Sequence, residues 1–118
     1  MAKDDYYVMA AKVLVFLYRR LKKQEDRDLT YFSPMTKDFP VDAEYFNYLF
    51  ENLCKQGYIE GVKVQGVWGA APIVEITQQI RITPAGIDYL QENGKMRKIL
   101  AMLPEAAGLA AQFAAIFA

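Results

Sequence analysis

The sequence has no histidine, one cysteine and no net charge, with 14 Lys+Arg against 14 Asp+Glu in 118 residues. Each shortage removes chemistry. Without histidine there is no Ser–His–Asp triad, no imidazole base and no imidazole metal ligand. One cysteine makes neither an internal disulfide nor a multi-thiolate zinc site. This suits a reducing, cytoplasmic setting. The residues Met-Ala-Lys-Asp-Asp lead straight into aromatics, so no secretory signal is expected. Zero net charge weighs against a strongly basic nucleic-acid binder. No phosphate-cradling loop is present, because Gly66-Val67-Trp68-Gly69 is too short and lacks a lysine. No catalytic residue, metal site or cofactor is expected. The carboxylate pairs Asp4-Asp5 and Glu25-Asp26 read as solvated turns, and Cys54 reads as a small core residue.

What is present is apolar: 53% of the residues are hydrophobic, enough for one domain with a real core. Asp4 to Lys23 predicts a first helix. Carboxylates open it and Arg19, Arg20, Lys22 and Lys23 close it, as the helix dipole favours. Its apolar residues cover much of the circumference, so several neighbours must bury it. Leu29 to Phe32 reads as a brief strand. Ser33-Pro34 reads as the start of a short helix that Phe39-Pro40 stops.

A third helix starts at an Asp42 N-cap, with Val41 and Phe46 as a hydrophobic staple. Phe46, Leu49, Phe50 and Leu53 form its buried stripe and Gly57 its left-handed exit. Tyr58 to Val64 and Ile73 to Thr83 predict a β-hairpin with polar Thr77-Gln78-Gln79 interrupting the return. Thr83-Pro84 restarts helix, Asn93-Gly94 closes it, and another helical stripe runs from Lys95 to Leu103. This order predicts an α+β winged helix-turn-helix: a three-helix core and a hairpin wing over residues 1–103, with additional C-terminal helices.

Three stretches carry a family resemblance. They are Lys3-Asp4-Asp5-Tyr6-Tyr7-Val8, Gly57-Tyr58-Ile59-Glu60-Gly61, and the run from Ile80-Arg81-Ile82-Thr83-Pro84 through Asn93 followed by Met96. Over roughly residues 3–103 the chain resembles the YjcQ family. That resemblance implies a small winged-helix-like protein of Gram-positive bacteria and their phages. It implies no established activity and no site residues.

A winged helix reads DNA with its third helix and wing, using Lys and Arg against phosphate. Here the outward face of the third helix presents Glu44, Asn47, Tyr48, Glu51 and Lys55. Asn47 and Tyr48 suit base edges or phosphates, but two carboxylates repel the backbone. Ordinary surface residues are the plainer reading. No Lys or Arg lies between Lys63 and Arg81, and the wing tip carries Trp68. Trp68 either contacts a partner or folds back onto the core. Basic residues gather instead at Arg19, Arg20, Lys22 and Lys23, and at Lys95, Arg97 and Lys98. They make one patch only if the two helix ends lie together.

Residues 104–118 form a separate apolar element, with no charged side chain from Ala106 onward. A helix of that length spans about 20 Å, short of a bilayer core of roughly 30 Å. Leu109, Phe113, Ile116 and Phe117 form its bulky stripe. Homodimerisation through that stripe is preferred, then packing on the chain's own domain. A membrane role comes last. The expectation is a non-catalytic phage-type regulator that binds double-stranded DNA. The alternative is a module that binds a phage or host protein through the third helix, wing tip and tail.

Overall fold

The first helix, α1 (Asp5–Leu21), runs through the middle of the protein. Met9, Ala10, Ala11 and the run Val13 to Leu17 are all buried, so every face but one meets a neighbour. The exception is Lys12, whose Nζ reaches Asp38 at 3.2 Å. The computed structural model describes residues 5–66, 68–69 and 72–117, and side chains within that range except Asp5 and residues 114–117. Asp4, expected in the first turn of α1, lies outside it. Lys23 ends the helix in the left-handed conformation (φ 58°). There the Gln24 N–H donates to Arg19 O at 2.8 Å and the Lys23 N–H to Arg20 O at 3.1 Å.

Around α1 stand α2 (Ala43–Lys55), a hairpin of β1 (Ile59–Gln65) and β2 (Ile73–Ile82), α3 (Pro84–Glu92), α4 (Gly94–Met102) and α5 (Ala107–Phe117). Short 3₁₀ turns occupy Leu29–Tyr31 and Pro104–Ala106. The result is an α+β fold with five α-helices and one two-stranded antiparallel sheet among the described residues.

Two expectations fail between α1 and α2. Leu29 to Phe32 forms no strand, since β1 and β2 pair only with each other and Asp28 caps a 3₁₀ turn instead, accepting from Thr30 N at 3.0 Å. Ser33-Pro34 starts no helix. Ser33 Oγ turns back to donate to Thr30 O at 2.7 Å, and Met35 is left-handed (φ 57°). The Met35 N–H donates to Val41 O, and Thr36 Oγ1 accepts from Phe39 N and donates to Ser33 O. Hydroxyl side chains supply bonds that a helix would have taken from its own backbone. The segment is held by Phe39, fully buried among the rings of Tyr31, Phe32 and Phe46. A winged helix places its short second helix in this position.

The hairpin pairs Ile59 with Ile82 and Glu60 with Arg81, then slips to pair Val62 with Ile76. Gly61 therefore faces the extra residues of β2, which runs unbroken through Thr77-Gln78-Gln79. Gly61 is left-handed (φ 83°), and a Cβ there would lie 2.3 Å from Gln79 O. Thr77 Oγ1 donates to Gly61 O at 2.6 Å and fixes the bulge. Arg20 of α1 clamps it from behind, donating to Gln78 O and Ile80 O at 3.3 and 3.2 Å.

Asn93 serves two helices. It closes α3 and caps α4, its side chain accepting from Met96 N at 3.1 Å. Ala106, Leu109 and Phe113 belong to the same core as α1, and the Phe113 ring meets Tyr18 edge-on at 5.7 Å.

Glu25 is not a solvated carboxylate. Its side chain is 3% exposed, 2.9 Å from Arg27 and 3.9 Å from Arg19. The Arg27 hydrogen bond, with Arg19 behind it, holds its carboxyl below the usual carboxylate range against a smaller opposing effect of burial. A depressed folded-state pKa gives stability that is present above the unfolded value and lost as pH falls through the folded one. Glu25→Gln is therefore expected to lower the urea midpoint at pH 7. The gap from wild type should narrow at pH 3.

Candidate interaction surface

The outer side of α2, the expected third helix, is an exposed face with recognisable chemistry. Its position is locally set. Asp42 accepts from Tyr45 N at 2.9 Å to start the helix, with Val41 and Phe46 both buried beside it. At the other end Gly57 (φ 77°) lets Tyr58 N donate to Leu53 O and Gly57 N to Cys54 O. Phe46, Leu49, Phe50 and Leu53 point into the core as their spacing requires. That turns Glu44, Tyr48 and Lys55 outward, with Asn47 and Glu51 at the margin. Lys55 is engaged by Glu51, Nζ to Oε1 2.8 Å, which leaves no free cation on this face of the helix.

Tyr48, 56% exposed, is part of a larger assembly. Its ring lies 6.1 Å from Tyr45 and 6.0 Å from Tyr6 of α1, and Tyr6 meets Tyr7 edge-on at 5.2 Å. Tyr58, just after α2, stacks on Tyr89 of α3 at 4.4 Å. Burial, then the neighbouring phenols of Tyr48, Tyr89, Tyr7 and Tyr45, pushes Tyr6 up to about 12. Tyr89 is raised by burial and by Tyr58 and Tyr7. Six of the eight tyrosines thus share one surface. Only Tyr48 was singled out from sequence. The pairs Tyr6-Tyr7 and Tyr45/Tyr48 were the available signal, but four separate elements bring the rings together.

The hairpin tip is separated from Tyr58 by the length of β1. Trp68 is fully exposed and does not fold back onto the core. Val64 and Ile73 are exposed near it, while Val67 lies outside the described residues. Lys63 is exposed and sits directly opposite Glu75 across the hairpin.

The two basic clusters do not merge. Lys95 at the start of α4 places Nζ 4.0 Å over the ring of Tyr7, near the beginning of α1. At the far end of α1, Arg19 donates to Glu105 O and Gln24 O. α4 therefore runs alongside α1 in the same direction, and the clusters are about 20 Å apart at 1.5 Å per residue. Arg19 and Arg20 are both engaged by backbone carbonyls. In the tail, Leu109 and Phe113 are 5% and 4% exposed in the chain's own core. Neither is held out for a second copy. The side chains of Ile116 and Phe117 lie outside those described. No described helix is long and apolar enough to cross a membrane.

The family model described as YjcQ protein matches residues 12–107, most of the chain. The chain belongs to the YjcQ family. No curated protein and no solved structure shows a significant match to it. The YjcQ span takes in α2, the hairpin, α3, α4 and most of α1. It therefore includes Tyr45, Tyr48, Tyr58 and Tyr89. Tyr6 and Tyr7 precede it, as does the opening stretch that contributed to the resemblance.

Proposed function

We propose that this YjcQ protein is a non-catalytic winged-helix module whose task is to bind another protein. The reading assigns it to a phage or prophage setting in the cytoplasm, as the family resemblance implies. The order α1, α2, hairpin, α3 supports the winged-helix assignment, with the irregular segment 29–42 replacing the short second helix. The observation that carries the function is the outer face of α2: exposed tyrosine and carboxylate with its one lysine already paired. Aromatic side chains are enriched at protein interfaces, whereas phosphate recognition needs unpaired Lys and Arg. The Trp-tipped wing, which has no Lys or Arg between Lys63 and Arg81, supports the same reading. A dimeric DNA-binding regulator is the second reading. It is favoured by the order of elements and opposed by where the charges sit.

A pull-down from host and phage-infected cells tests the proposal, with wild type, Tyr48→Ala and Trp68→Ala as baits. Both side chains are exposed, so both variants should fold. At least one partner should be lost from a variant. If every partner survives both changes, the reading fails.

A further inference from the structure

Two shallow hollows, one beside Tyr45 and Tyr48 and one beside Tyr58 and Tyr89, share a chemistry. One, about 350 Å³, is bounded by Asp42, Glu44, Tyr45 and Tyr48. The other, about 300 Å³, is bounded by Tyr58, Ala85, Asp88, Tyr89, Glu92 and Asn93. Each combines two phenol rings with two carboxylates, and among the described residues neither is lined by a lysine or arginine. The Tyr6 ring meets that of Tyr48 at 6.0 Å, and Tyr89 is among the phenols that raise its pKa.

We infer that this tyrosine-and-carboxylate surface binds an arginine-bearing segment of a partner protein. The inference rests on the protein-binding reading and names the chemistry of its partner. Its basis is charge complementarity joined to ring geometry. Aromatic faces attract cations through their quadrupole, and a guanidinium both stacks on a ring and bonds a carboxylate with two parallel donors. An ammonium does only part of this. The chain already uses the principle once, since Lys95 stands 4.0 Å over the Tyr7 ring from within the same molecule. The remaining ring faces of Tyr45, Tyr48 and Tyr89 adjoin acids, and among the described residues no lysine or arginine stands over them. Tyrosines offer large contact area at low entropic cost, which suits a standing recognition surface. Nucleic acid does not fit, because four carboxylates would meet its phosphates.

Short synthetic peptides of alternating Arg and Ser, Lys and Ser, and Glu and Ser test this against the full-length, isotope-labelled chain by amide chemical shifts. The arginine peptide should shift residues 42–48 and 85–92. The lysine peptide should do so more weakly and the glutamate peptide not at all. Tyr48→Ala should weaken the arginine peptide by about three- to tenfold, the worth of one exposed cation–π contact with its ring area. Glu44→Lys should weaken it as well, and Trp68→Ala should leave it unchanged. Equal shifts from the arginine and glutamate peptides would overturn the inference. So would shifts confined to other surfaces, indifference to Tyr48→Ala, or the same face responding to a random DNA duplex. If the peptides fail while cells still yield a Tyr48-dependent partner, the cationic occupant is wrong and the protein-binding reading stands. If no captured partner depends on Tyr48 or Trp68, that reading itself falls.

Discussion

Phe39→Ala is expected to destabilise the protein by about 3–5 kcal/mol, the usual range for removing a fully buried phenylalanine. Against a total stability of about 5–15 kcal/mol this is a large fraction. Phe39 is wholly inaccessible, and its ring meets Tyr31 at 5.2 Å, Phe46 at 5.6 Å and Phe32 at 6.1 Å. The rings around it come from α2 and from the irregular segment itself. Little in the backbone holds that segment, because residues 32–42 form neither helix nor strand. The cavity therefore removes the anchor of a whole connection. It also leaves the Lys12–Asp38 pair tied to a mobile loop. The measurement is a urea denaturation midpoint, paired with amide exchange over residues 29–42. A loss under about 1 kcal/mol would show that the hydrogen bonds of Thr36 and Ser33 hold the segment without the ring.

Gly86→Ala carries the second large effect. Gly86 lies in the first turn of α3, where an alanine would ordinarily favour the helix by up to about 1 kcal/mol. Here a Cβ would stand 2.2 Å from Tyr58 O and 2.7 Å from Ile82 Cγ1. The carbonyl cannot yield easily, since it already accepts from Thr83 N at 3.0 Å. The helix must move off the base of the hairpin, disturbing the Tyr58–Tyr89 stack. Overpacking of this kind costs about 1–3 kcal/mol, and a backbone collision belongs at the upper end. Gly94→Ala is the control. Nothing lies within 4 Å of its Cβ position, so its effect should stay within about 0.5 kcal/mol. Equal midpoints for the two variants would mean that α3 shifts freely against the hairpin. Gly86→Ala should also weaken the arginine peptide, because Tyr89 and Asp88 ride on the same helix.

The two glycines and Phe39 differ in how far sequence could reveal their roles. The sequence marks Phe39 only as a helix stop beside Pro40, and it gives Gly86 no special signal. Both matter because of what the fold brings against them. Tyr58 is distant from Gly86 in sequence, and Phe39 is covered by a ring of α2 as well as by rings of its own segment.

Helix starts, helix exits and the hairpin were legible because each is decided within a few residues. Asp42, Thr83 and Asn93 carry side chains that satisfy the next turn's N–H groups, and Gly57 accepts the left-handed exit without a Cβ penalty. The stripe Phe46, Leu49, Phe50 and Leu53 could face only the core. The family could likewise be read from the order of residues. The segment 29–42 could not, because its local helix signals lose to side-chain hydrogen bonds and to the burial of Phe39. Whether the basic residues make one patch depended on how the helices lie, and α4 runs alongside α1 in the same direction. The tail's Leu109 and Phe113 looked available until the core covered them. The tyrosine surface arises in the same way: α1, α2, the start of the hairpin and α3 each contribute one or two rings. Sequence determined which residues are aromatic, acidic or basic and which local turns they make. Tertiary packing decided which of them meet, because a surface assembled from distant segments exists only after the core has fixed their places.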